Sequence, residues 1–343
     1  MAKNIFNMKR IFTLRFMLIS LFAAMGMAMN AEVIEYTDGD LLYELDTQKK
    51  TAELADYRGS AKEIVIPKNV AHDGVTYSVT RLGSGCFQNC TSLTSIDIPS
   101  SVTSLGIGCF SGCESLTSID IPSSVTSLGD FCFYDCSSLT SIDIPSSVPS
   151  LGGCCFKYCS SLTSITIPSS VTILGDDCFS GCSSLTSIII PSSVTLIGYR
   201  CFENCHALTS VTIPSSVTRL GEACFRNCSS LTSIDIPRSV KILEFSCFDR
   251  CSSLTSVTIP SSVNSIEDWC FRGCTSLKSI TIPSSVTNMG SYCFGSCTSL
   301  KSITIPSSVT NLENCFSGCS SLTSIIIPSS VTRLGDGCFR PCI

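Results

Sequence analysis

Twenty-five cysteines among 343 residues are the side chains of this chain best suited to chemistry. In an exported chain such a count suggests disulfides, and clustered thiolates would suit zinc or a nucleophile. The spacing narrows these options. The cysteines fall as twelve Cys-Phe-x-x-Cys pairs, from Cys86/Cys90 to Cys338/Cys342, with Cys154 left over. The redox Cys-x-x-Cys spacing is absent. Side chains at i and i+4 of a helical turn have Cβ atoms about 5–6 Å apart, whereas a disulfide wants about 3.5–4.5 Å. Closing a five-residue loop would contribute only roughly 2 kcal/mol. Pairing between adjacent copies is easier, because stacked Cα atoms would sit about 5 Å apart. Three states stay open: columns of buried thiols, some disulfides, or metal. The first is preferred, because free Cys is among the most buried residue types. Zinc would need four convergent thiolates repeated along a packed interior. Cys154 stands outside the columns, in register with Phe131 and Asp177.

Other reactive groups are few. The two histidines, His72 and His206, have no obvious triad partners. A Cys205–His206 dyad would need an exposed thiolate at a position expected in the core. No phosphate-cradling glycine loop occurs, so neither an enzyme nor a cofactor is expected. The less favoured hydrolase alternative would lose its activity when Asp120 or Asp143 becomes Asn. Three aspartates, Asp97, Asp120 and Asp143, recur at a spacing of 23. If their strands stack, the carboxylates lie about 5 Å apart, as a solvated acidic patch or as oxygen donors for Ca²⁺. Asp235, Ile189 and Ile326 hold the same column. Trp269 and Tyr292 hold equivalent places just before their cysteines, as does Phe131, and are candidate anchors for protein or glycan.

The elements that must position these residues are copies of one unit. Prolines from Pro99 to Pro306 fall 23 residues apart, and Pro328 follows after 22, with one residue missing near Leu312 to Asn314. Such a period is the signature of a solenoid. In the unit Leu116 to Cys136, Ile119 and Ile121 alternate with Ser118 and Asp120 as in a strand, and Pro122 ends it. Val125 and Leu128 point inward from a second extended piece, and Gly129 turns the chain. Cys132, Phe133 and Cys136 are then expected on a single helical turn. Cys109, Phe110 and Cys113 are their counterparts one copy earlier, and all six belong to core columns. One unit cannot bury its inward groups alone, so the copies must stack.

The pattern L-x-x-I-x-I-P-x-S-V followed by L-G-x-x-C-F-x-x-C resembles the BspA-like class of leucine-rich repeats of bacterial surface proteins, from about Ile64 onward. The resemblance implies a β-rich (α/β repeat) solenoid: a right-handed stack with a parallel sheet, short helical turns on the other side and an N-terminal β-hairpin cap. Ser101, Ser124 and Ser147 stand where the general signature expects Asn or Cys, which points to a straighter stack. The resemblance also implies surface adhesion, with host or neighbouring-cell surface proteins, extracellular matrix or glycans as partners.

Residues 1–28 read as a secretory signal, with Lys3, Lys9, Arg10 and Arg15 before the apolar run Phe16 to Ala28. No second apolar span follows, so a secreted or cell-surface chain is expected. Residues 32–85 break the period and read as a cap with a first atypical repeat. Within them Asp40–Asp46 and Thr51–Tyr57 form a hairpin, and Asp73-Gly74 is a two-residue turn. About eleven repeats fill 86–343, ending without a cap, and an open end would suit a structural rod that assembles end to end. Four of the 22 basic residues lie in the signal, leaving 18 against 27 acidic, a net charge of −9 that argues against nucleic acid. Residues 82–198 hold one basic side chain, Lys157, against eight acids, while 199–343 hold eleven basic and nine acidic. That asymmetry allows self-association of the rods.

Overall fold

The computed structural model describes residues 33–340, so the expected export signal and Cys342 lie outside them. The repeat builds a stack of coils, each contributing one short strand to each of two parallel ribbons. In the coil that starts at Leu208, Val211 and Ile213 are buried while Ser210 and Thr212 face solvent, the alternation a strand imposes. Pro214 has no N–H to donate, and the strand Ser210–Thr212 stops ahead of it. Val217 turns in, Arg219–Leu220 forms the second strand, and Cys224, Phe225 and Cys228 close the coil from inside.

Every ribbon contact is parallel and in register. Ser187–Ile189 pairs with Ser210–Thr212, and Ser233–Asp235 with Ser256–Thr258. Single bridges join Asp143 to Thr166 and Thr166 to Ile189. From Ser95 onward the step is 23 residues except across the deletion, where it is 22 on both ribbons, from Ser302 to Ser324 and from Asn311 to Arg333, so the missing residue leaves strand register intact. Inside, twelve phenylalanine rings from Phe87 to Phe339 stack nearly parallel, with centroids 5.3–6.0 Å apart. The widest step, 6.0 Å, separates Phe294 from Phe316, on either side of the deletion.

The serine after Pro-Ser does the work expected of an asparagine ladder. Ser124 Oγ donates to the Val102 carbonyl at 2.6 Å, and Ser170, Ser193 and Ser216 repeat the bond one coil at a time. Each bond satisfies a carbonyl at the bend that no strand reaches. The hydroxyl of Ser101, the first of the series, is buried without a partner.

The expected helical turn is corrected: among the described residues there is no helix, and Cys-Phe-x-x-Cys is a run of turns. A helix would send each amide to a carbonyl four residues back. Here alternate amides leave the coil instead. Gly108, Phe110 and Gly112 donate to the carbonyls of Asp130, Cys132 and Tyr134 in the next coil, while Cys109, Ser111 and Cys113 bond three residues back. Aiming amides along the stack puts two residues per coil in the left-handed region. Gly108 and Gly112 sit at φ 60° and 75°, and Phe131 and Asp135 at 60° and 56°. Gly129 serves another purpose: a Cβ there would meet the Gly106 carbonyl carbon at 2.5 Å, so the coils touch backbone to backbone.

Ahead of the coils, β1 (Val33–Asp38), β2 (Leu41–Asp46) and β3 (Thr51–Tyr57) form an antiparallel meander. The expected hairpin is β2–β3; β1 was not foreseen. β4 (Glu63–Val65) pairs with Ser95–Asp97, placing it on the first ribbon. β5 (Asn69–His72) and β6 (Val75–Leu82) form a hairpin through Asp73 and Gly74, both at positive φ as such a turn requires. β6 lies between β3 and Ser104–Leu105, joining the meander to the second ribbon.

Candidate functional site

Two long surfaces are available, the outward face of the first ribbon and the ridge of turns. On the ribbon, strand alternation exposes Asp97, Asp120, Asp143 and Asp235 in one column, with Ile189 81% and Ile326 72% exposed. Among the described residues none of these carboxylates makes an ion pair. No group of three or more His, Cys, Asp or Glu side chains among the described residues converges to hold a metal, so the calcium reading of Asp97, Asp120 and Asp143 lacks a closed donor set. They form a row of separate charges. Two cations border the same ribbon further along: Lys278 and Lys301, exposed, take the place that Thr94 and Thr117 hold in earlier coils. They too have no acidic partner among the described residues.

The turn ridge is organised differently. The residue after Cys-Phe forms a column on which successive coils place Glu203, Arg226, Asp249 and Arg272. Arg226 donates to Glu203 at 2.9 Å and to Asp249 at 3.3 Å, and Arg272 donates to both Asp249 oxygens at 2.9 and 3.3 Å. The Asp249 side chain is fully buried beneath the two guanidiniums. Arg200 adds an ion pair to Glu203 at 3.7 Å. Alternating sign makes each neighbour attractive, where a uniform column would repel. The sequence reading missed this ladder, although four residues of alternating charge at a spacing of 23 were there to be found.

Beside it stand the aromatics. Trp269 lies on the ridge with the Arg272 guanidinium 4.3 Å from its ring and Phe245 at 5.5 Å. Tyr292, 37% exposed, occupies the same slot one coil on, and Phe245 is 41% exposed. Trp269 and Tyr292 sit at φ 61° and 55°, in the slot that Gly85 and Gly108 fill in the first coils. A bulky residue there is a backbone outlier. Phe131, Tyr134 and Tyr158 make a second cluster, with centroids 5.9 and 5.6 Å apart and Lys157 5.3 Å over Tyr158. Burial lifts the Tyr134 hydroxyl above its usual range, helped by Tyr158. Desolvation alone would lower Lys157, but its 2.8 Å bond to Asp177 outweighs that and raises it.

The cysteines face inward except Cys90 and Cys154, which are half-buried. The 24 described ones are free thiols, and Cys109, Cys113, Cys132 and Cys136 are buried with Phe110 and Phe133. The second cysteine of a pair donates its thiol to the phenylalanine carbonyl of the preceding coil: Cys113 to Phe87 at 3.2 Å, Cys182 to Phe156 at 3.1 Å, Cys205 to Phe179 at 3.3 Å. A small apolar residue with a weak donor fits that place, where Ala would leave the contact unmade. Burial pushes the Cys155 and Cys205 thiols up to about 12 and Cys154 to about 11, so all three stay protonated at neutral pH. Cys205 spends its proton on Phe179 and His206 is exposed, so the two make no dyad.

Parallel coils with an aliphatic strand, an aromatic stack and cross-coil turn bonds define a leucine-rich-repeat solenoid. The family model described as "BspA type Leucine rich repeat region (6 copies)" matches residues 59–183, 150–252 and 241–343, and the chain belongs to that family. A leucine-rich repeat protein from Bacteroides ovatus is 30% identical, with 90% of this chain and 92% of that chain covered and a TM-score of 0.66. A leucine-rich cell surface protein from Faecalibacterium prausnitzii is 32% identical, covering 92% of this chain and 88% of that one at a TM-score of 0.65. The pneumococcal vaccine antigen PcpA, 18% identical over 89% of this chain and 93% of its own at a TM-score of 0.50, shares the fold. No curated protein matches the chain.

Proposed function

We propose that this chain is an exported, non-enzymatic recognition protein that adheres to surface proteins or extracellular matrix through its turn ridge. Its family consists of surface proteins suited to protein–protein contact. The observation that carries the reading is the aromatic patch around Trp269. The interior already has its own phenylalanine stack, so Phe245, Trp269 and Tyr292 are not needed to fill the core. Trp269 and Tyr292 stand in a positive-φ slot that recurs from coil to coil and that Ala223 and Ser246 fill elsewhere, so the backbone does not call for their bulk. Arg272, pinned by buried Asp249, stacks on Trp269 and presents a rigid aromatic–guanidinium surface, the composition enriched at interface hot spots. Protein ligands are favoured over glycans because the patch is an exposed ridge.

Immobilised matrix proteins, host-cell surface proteins and glycans, probed with wild type and with Trp269→Ala/Tyr292→Ala, test the reading. The double variant should lose about tenfold or more in affinity for whichever ligand binds, at unchanged thermal stability. Equal binding by wild type and variant would rule the ridge out.

A further inference from the structure

The ribbon face carries a charge pattern that the ridge does not explain. Asp120 and Asp143 occupy its second and third rungs, counting from Asp97, while Lys278 and Lys301 border its ninth and tenth. Between them lie Thr166, Ile189 and Thr212, with no charge in the outward column. Asp235 follows, with Arg238 three residues on in the sequence, so the middle is close to neutral. At the other end Lys62 and Glu63 neighbour each other beside Asp97's strand. One ribbon therefore carries Asp120 and Asp143 in one half and Lys278 and Lys301 in the other, and none of these four groups has an ion-pair partner among the described residues. Exposed charges left unpaired on an open, regular face mark a surface whose complement lies elsewhere.

We propose that the complement is a second copy of this chain, docked ribbon to ribbon and antiparallel about a two-fold axis at Thr212. The arithmetic of rungs fixes the arrangement. A two-fold at the sixth rung sets the second opposite the tenth and the third opposite the ninth. Asp120 then shares a level with Lys301 of the other copy, and Asp143 with Lys278, each lysine reaching across the three residues that separate its place from the aspartate column. Because such an interface is isologous, each pairing occurs twice, giving four cross-copy ion pairs from one set of side chains. A parallel arrangement would oppose acid to acid and base to base, which is repulsive. Contact between copies uses residues separate from the aromatic ridge, so both ridges of the pair stay open to other partners.

Sedimentation velocity of the purified chain tests this at about 0.1 M and about 1 M salt, where the screening length falls from about 10 to about 3 Å. The expected result is a dimer at the lower salt that weakens at least tenfold at the higher. Asp120→Lys/Asp143→Lys puts lysine at all four of these places, and Lys278→Asp/Lys301→Asp puts aspartate at all four. Each should sediment as a monomer, and a one-to-one mixture of the two should restore the dimer. A monomeric wild type at low salt would overturn the proposal. So would either variant dimerising alone, or a mixture that stays monomeric while both variants keep the wild-type melting profile. Loss of ligand binding by Trp269→Ala/Tyr292→Ala has no bearing on this outcome, so the two readings fail separately.

Discussion

The strand ribbon and the turn ridge run along the same stack, one rung per coil, yet they treat polar side chains in opposite ways. On the ribbon, strand alternation pushes Asp97, Asp120 and Asp143 into solvent, and no ion pair among the described residues answers their charge. On the ridge, the next coil delivers a partner: Glu203 meets Arg226, Arg226 meets Asp249, Asp249 meets Arg272. The difference lies in burial. Ribbon charges keep their water and contribute little to stability, while Asp249 has given up its water and depends on two guanidiniums. A repeat can thus vary one side freely and is bound by its neighbours on the other.

Alkaline titration should show the strongest contrast, because it strikes only the turn side. Burial raises the native thiols, with Cys155 and Cys205 at about 12 and Cys90 and Cys154 at about 11. In the unfolded chain they ionise near about 8.5. The folded state therefore holds protons that the unfolded state releases. The stabilisation is fully present below about pH 8.5 and falls away as pH climbs toward about 12, by about 1.4 kcal/mol per pH unit for each such thiol. Urea midpoints should drop steeply between about pH 8 and about pH 10. A constant midpoint would mean that the thiols are solvated or bonded to one another.

Removing one carboxylate from the ridge comes next. Asp249→Ala leaves Arg226 and Arg272 facing each other without an anion and should cost about 3 kcal/mol, read from denaturant unfolding. Little change would place the ladder among ordinary surface pairs. The smallest effect belongs to the ribbon: Asp120→Asn with Asp143→Asn should shift stability by less than about 0.5 kcal/mol. A large gain would reveal repulsion in that column, and a large loss would reveal a bound cation.

Much of the coil was legible because its causes are local. Ile119 beside Ser118, Pro122 after the strand and Phe133 between its cysteines each announce a place inside or outside. The helical turn misled for a definite reason. Cys132 and Cys136 share one side in a helix and in this run of turns alike, and what distinguishes the two is where the amides of Phe131 and Asp135 go. They go to the next coil, 22 residues on, at Gly153 and Lys157. The clue was the glycine, asparagine or aspartate at Gly108, Gly112, Asp135 and Asn204, residues tolerant of positive φ, partly hidden where Phe131 and Trp269 take the same slot. Lys278 and Lys301 went unnoticed because their significance lies in distance from the aspartates along the stack, which no short window contains.

The bonds from one coil to the next are nearly the same at every level, from the Ser124 hydroxyl on Val102 to the Phe133 amide on Cys155. A block of 23 residues excised between two levels would bring together edges that already match. Length is thus an adjustable property of this molecule, free to drift by whole units as a gene built of near-identical segments recombines. The stretch from Glu203 to Arg272 resists such editing, since removing Arg226 or Asp249 sets like charge against like.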